Sequence, residues 1–182
     1  MKPEEMIYKM PSLKIDTFLT FIKSRNRQTV YYHNRIGSSA DTKPFKKEND
    51  HMYILEYLAT KFPDKDFIVC NANAAPLREN IFVTNIFGVI EDHTCQNVLK
   101  DIDIAGNCDF AVVFDIGSCL LYCNNRFPSY KARFLHVSHN DRYPMLMKKN
   151  LEECLSILPK NIEYLHAKTP DELTLVVQSR IK

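Results

Sequence analysis

The sequence predicts an α/β (α+β) fold, a mixed and largely antiparallel sheet with helices packed on it. Three observations lead there. Apolar runs of strand length, such as DFIVCNA (66–72) and DFAVVF (109–114), recur between amphipathic stretches of helix length. Several of these runs follow one another across short gaps, which favours antiparallel neighbours. The chain has 182 residues, 45% of them apolar and 25% charged, enough for a single globular domain over 1–182 with its own core and a basic N-terminal helix-strand extension over 1–48.

The elements follow in order. In LKIDTFLTFIK (13–23), Ile15, Phe18, Leu19 and Ile22 fall at helical spacing, and TVYYHNRI (29–36) reads as a strand. The polar stretch 33–49 reads as a long loop. Asn49 or Asp50 is placed to cap a second helix with Ile54, Leu55, Leu58 and Phe62 on one face, stopped by Pro63 and Asp64. Strands at 66–72 and 80–90 precede a third helix carrying Cys95, Val98, Leu99 and Ile102 and ended by Asn107. Strands at 109–114, 119–123 and 132–139 follow, then a helix over 144–158 and a strand at 162–167. Thr169-Pro170-Asp171-Glu172 combines a capping hydroxyl, Pro at the first helical position and an acid three residues after the cap, so a last helix starts there. This order resembles that of the profilin-like and roadblock-like scaffolds.

Composition excludes several classes. The apolar runs are too short to span a membrane, and the N-terminus lacks the apolar core of a secretory signal, so a cytoplasmic or nuclear protein is expected. The six cysteines sit mostly inside apolar runs, where a thiol behaves as a small hydrophobe. Reduced thiols, no metal and no cofactor are expected. Only four glycines occur, and neither G-x-G-x-x-G nor G-x-x-x-x-G-K-[ST] is present, which argues against an ordinary nucleotide-binding enzyme. The net charge of +2 conceals segregation. Residues 1–48 carry ten Lys/Arg against five Asp/Glu, residues 49–124 four against eleven, and residues 125–150 six against one. Such a dipole suits an acidic partner.

Two segments attract chemistry. Asp115-Ile116-Gly117-Ser118 lies between two apolar runs and resembles the first phosphate turn of the actin-type kinases. Their further acidic and glycine-rich motifs are absent, so a β-hairpin corner with Gly117 at positive φ is expected. The second is RFPSYKARFLHVSHNDRYPMLMKK (126–149). It interleaves Arg126, Lys131, Arg133, Arg142, Lys148 and Lys149 with Phe127, Tyr130, Phe134 and Tyr143. Cations hold phosphates and flat rings stack on bases, so Arg126, Phe127, Tyr130, Lys131, Arg133, Arg142, Lys148 and Lys149 form the expected nucleic-acid surface. His136-Val137-Ser138 resembles half of the two-histidine phosphoesterase signature, for which the nearest second copy, His93-Thr94-Cys95, ends in Cys. If the chain is an enzyme, His136, His139, Tyr143 and Lys131 are the catalytic candidates, with a triad of Cys108 or Cys119 and a histidine as a further arrangement. The expected function is a non-enzymatic adaptor binding nucleic acid, RNA favoured, or an acidic protein surface. A metal-independent phosphodiesterase or nuclease using histidines is the alternative, and a protein–protein assembly module pairing through a sheet edge is a third reading.

Overall fold

A computed structural model of the chain describes residues 16–34, 47–84, 101, 103–114, 129–138 and 161–182. Six strands form one sheet: β1 (Gln28–Tyr32), β2 (Lys65–Val69), β3 (Ile81–Val83), β4 (Phe110–Phe114), β5 (Arg133–Ser138) and β6 (Ile162–His166). Their order is β3-β2-β1-β4-β5-β6, and every pairing is parallel. The expected antiparallel sheet is therefore corrected.

The cause of the error is visible in the strands themselves. Parallel strands are covered on both faces, so they read as continuous apolar runs and not as alternation. VYY in β1, FIV in β2 and AVVF in β4 are buried residue after residue. The short gap before β3 was misleading. Residues 70–80 join β2 to its parallel neighbour with no α-helix, only the 3-10 turn Ala72–Ala74. The expected hairpin corner at 115–118 follows β4, which is paired in parallel with β1 on one edge and β5 on the other. Residues 115–118 themselves lie outside the described residues.

Helices α1 (Asp16–Ser24), α2 (Glu48–Lys61) and α3 (Pro170–Arg180) flank the sheet. Ile54, Leu55 and Leu58 of α2 and Leu173 and Val177 of α3 pack on the face formed by Val30, Tyr32, Phe67, Val69, Val112, Phe114, Leu135 and Val137. Phe18 and Ile22 of α1, with Ile104 and Ala105 from the helical residues 103–107, cover the face of Tyr31, Ile68, Ala111, Val113 and Phe134. The expected caps fare differently. The Thr169 hydroxyl accepts the Glu172 N–H at 3.2 Å, as the motif predicts, and the Glu172 carboxylate reaches one residue past the cap to accept the Lys168 N–H at 2.6 Å. Helix α2 instead starts at Glu48 behind Lys47, with no side-chain cap, so Asn49 and Asp50 lie inside its first turn. The chain passes from α1 to β1 through Asn26, at φ 50°. Among the described residues no helix is long and apolar enough to cross a membrane.

Candidate functional site

The two edges of a parallel sheet differ, and the basic residues gather at the amino edge. Buried Asp66, at the start of β2, receives the Arg25 guanidinium at 2.6 and 3.1 Å and has Arg27 at 3.5 Å. Asp109 accepts the Thr29 N–H at 2.7 Å and the Thr29 hydroxyl at 3.0 Å, and pairs with Lys131 at 3.1 Å. Burial alone would push the Asp109 carboxyl up, but these bonds outweigh it and leave it below its ordinary value. Glu163 is lowered in the same way: burial opposes, and the Arg180 and Arg133 guanidinia prevail at 2.5 and 2.6 Å. Tyr130 is buried over Gly106, where a Cβ would penetrate its ring, and the Gly106 carbonyl accepts the N–H groups of Lys131 and Ala132 at 3.1 Å each. Within the expected nucleic-acid surface, then, Lys131 and Arg133 are ion-paired yet about half exposed, and the Tyr130 ring is packed inside. A shallow groove lined by Lys131, Arg133, Asn161 and Glu163 runs along this edge.

The carboxyl edge contains the reversal of the sheet. Successive strands move outward from β1 through β2 to β3, and the chain then returns to place β4 on the other side of β1. Ligands of open α/β sheets bind outside the carboxyl ends of the strands at such a reversal. Here β1 ends at Tyr32, and His33 and Asn34 follow it. The Tyr32 hydroxyl shares a 2.8 Å hydrogen bond with Nδ1 of His51, in the first turns of α2, and both rings meet Phe114 edge-on at 5.7 Å. Burial, then the charge of Asp50, pushes the Tyr32 phenol well above its ordinary value, so it stays protonated. His33 is half-buried at the reversal, and its N–H donates to the Val112 carbonyl at 3.0 Å. Asn34 closes the β2 side. Its Nδ2 donates to the carbonyls of Asn71 and Ala74 at 2.7 and 3.1 Å, and its Oδ1 accepts the N–H groups of Cys70 and Asn71 at 3.0 and 2.8 Å.

No protein-family model, curated protein or solved structure matches this chain. The site must be read from its own geometry.

His136 is fully buried in β5, its ring 5.5 Å from that of Tyr164. Lys131 lies five residues back toward the amino edge, about 16 Å away at ~3.3 Å per residue. The structure does not bring these two catalytic candidates together. Arg126, Phe127, His139, Arg142, Tyr143, Lys148 and Lys149 lie outside the described residues. Burial raises the Cys108 thiol to about 12, which removes it as a nucleophile at neutral pH. Among the described residues no three His, Cys, Asp or Glu side chains gather as a metal site. Sequence reasoning missed Tyr32, His33, Asn34, His51 and Phe114 because their meeting depends on the strand order. The usable signal was polar residues, His33 and Asn34, directly after an unbroken apolar run.

Proposed function

We propose that this domain binds a nucleotide-sized organic ligand at the carboxyl edge of its sheet, over the β1–β4 reversal. The observation that carries this reading is the all-parallel order β3-β2-β1-β4-β5-β6, shared with doubly wound nucleotide-binding domains; it is an analogy of topology, to which the residues add detail. His33 offers a half-buried ring at the reversal, and the Asn34 clasp holds the β2 wall rigid. The usual dinucleotide grip is not supported. The sequence between β1 and α2 contains one glycine, Gly37, and the first turn of α2 carries Glu48 and Asp50, which repel a phosphate from that helix start.

Backbone amide NMR tests the reading. A panel of nucleoside mono-, di- and triphosphates should shift amides at His33, Asn34, Thr84 and Ser138 and leave Lys131 and Arg133 still. Shifts confined to the amino edge, or none from any member, would overturn it.

A second reading keeps the expected adaptor, with single-stranded RNA or an acidic protein surface along the amino edge. It is supported by the half-exposed Lys131 and Arg133 beside the Asn161 groove. The same spectra recorded with an RNA oligomer separate the two, because the responding amides lie at opposite ends of the strands.

A further inference from the structure

Helices α2 and α3 each have a second face. Their inner residues cover the sheet. On the outer side of α2, Tyr53, Glu56, Tyr57, Thr60 and Lys61 line a shallow groove at i, i+3, i+4, i+7 and i+8. That is packing periodicity on the side of a helix that is ordinarily charged, and two of its residues are aromatic. The Tyr53 hydroxyl donates to Asp171 of α3 at 2.7 Å, and the Tyr57 hydroxyl donates to Gln178 at 3.1 Å. These bonds advance together along both helices, so α2 and α3 run parallel. Leu175 shares a strip of α3 with Asp171 and Gln178 and is 57% exposed.

Single exposed apolar side chains are ordinary, but a cluster marks a contact surface. Among the described residues the large exposed apolar side chains are Phe21, Met52, Tyr53, Leu77 and Leu175. All but Phe21, which belongs to α1, lie on this helical layer. Wholly exposed Leu77 is held at its rim, because Arg78 Nε donates to Glu56 of α2 at 2.9 Å and Ala75 packs against the core beneath α2.

The centre of the patch selects its partner. Tyr53 and Tyr57 flank the middle of α2, and Leu175 is the middle of α3. Turning the layer end over end therefore lays its apolar centre on itself, α2 against α2 and α3 against α3. Charge favours this direction. Asp50 and Lys61 are separated by about three turns, so they share a strip with the tyrosines, one at each end. Neither forms an ion pair with a described residue. End over end, Asp50 of each copy meets Lys61 of the other. The parallel alternative sets α2 against α3, with Asp50 beside Asp171 and Lys61 beside Arg180, like charge on like. We propose that this layer pairs with a second copy of the chain about a two-fold axis lying across the helices, with Tyr53, Tyr57 and Leu175 at the centre and reciprocal Asp50–Lys61 pairs at the rim. The layer is about 21 Å long at ~1.5 Å per residue of α2 and two helices wide, which gives roughly 400 Å² per copy. An interface of that size is transient, so the pair forms and dissociates at micromolar concentrations. The surface is a face of the sheet and neither end of its strands, so the proposal stands apart from both functional readings.

Sedimentation velocity on the full chain, from low to high micromolar concentration, tests it. The weight-average sedimentation coefficient should rise toward that of a dimer, and a constant monomer value overturns the proposal. Leu175→Glu puts a charge at the centre and should abolish the rise while the melting temperature holds; association that survives it overturns the assignment. The rim gives a test that does not depend on an apolar site. Asp50→Lys or Lys61→Asp, each alone, sets like charges together at both rims and should weaken association about tenfold at low salt. An equimolar mixture of these two variants re-forms both pairs and should recover the association of the unchanged chain. A mixture no stronger than its components overturns the end-over-end pairing. Melting of each variant alone confirms that it is folded.

Discussion

At the amino edge of the sheet, Asp66, Asp109 and Glu163 each meet cations, and the strands are pinned by charge. At the carboxyl edge, Asn34, Tyr32, His51 and Ser138 are buried polar groups, and hydrogen bonds pin the strands there. Both edges must satisfy polar groups where the strands end, and they do so by means that respond differently to the environment. Ion pairs at a partly exposed edge weaken with salt and acid. Amide clasps in a buried edge respond to neither. The contrast suits one edge to stability and the other to a ligand.

The largest effect that would break this contrast comes from Asp66→Ala. It leaves the Arg25 guanidinium, only partly exposed, without its carboxylate. Removing one member of a buried pair costs roughly 3–5 kcal/mol, and the partial exposure of Arg25 puts the expectation near the lower bound, about 3 kcal/mol. The urea midpoint should fall while amide shifts induced by nucleotides at the carboxyl edge persist. A loss of both would mean that the edges are not separable. Asn34→Ala is the counterpart at the other edge. It strands two carbonyls and two N–H groups beside buried Cys70, and about 2 kcal/mol should be lost. This loss should be insensitive to salt, in contrast to that of Asp66→Ala, and the ligand response at His33 should weaken with it.

Gly106→Ala sharpens the comparison from the core behind the amino edge. The added methyl meets the Tyr130 ring, whose neighbours Lys131 and Ala132 hang from the Gly106 carbonyl. Overpacking of this kind costs about 1–3 kcal/mol. A melt at neutral pH should show the loss, and an unchanged midpoint would place Tyr130 on the surface, where it is free to stack on a base.

Acid should act on the amino edge first. The folded protein holds the carboxyls of Asp109 and Glu163 below their ordinary values, so the unfolded chain binds their protons more readily. Their contribution is complete above the ordinary carboxylate range, about pH 4, and is lost as the pH falls through the lowered folded values. Hydrogen exchange at Thr29 and Arg133 should accelerate over that window before exchange at Tyr32 or Cys70 does. The reverse order would remove the electrostatic account of this edge.

What could be read in advance follows from the range of each signal. The start of α3 was legible because Thr169, Pro170 and Glu172 act within one turn. The buried face of α2 was legible because Ile54, Leu55 and Leu58 repeat locally. Strand direction was signalled only by the unbroken apolar runs FIV and AVVF, and the short connection 70–80, which crosses without a helix, pointed the other way. The site followed the sheet. Lys131 and Arg133 were recognised as cations, but their pairing with Asp109 and Glu163 depends on register. His51 stood in the polar start of a helix, and only the β1–β4 junction shows it bonded to Tyr32.

The smallest effect is the most discriminating between the two functional readings. In Lys131→Gln with Arg133→Gln, two ion pairs are lost whose cationic side chains are about half exposed. Pairs of this kind contribute less than about 1 kcal/mol each, so the melting temperature should hardly change. A nucleotide-sized ligand at the carboxyl edge lies at the far end of β5 and should be bound with unchanged affinity. An RNA oligomer along the amino edge would behave otherwise. Each phosphate released from a cation removes about 0.7 from the slope of log affinity against log salt for a single strand, so the double substitution should flatten the slope by roughly 1.4 if both side chains touch phosphate. Nucleotide binding retained with no salt-dependent RNA binding to lose would leave the amino edge as structure alone. A flattened RNA slope with no nucleotide binding in either protein would reverse the assignment and make the ion-paired edge the working surface.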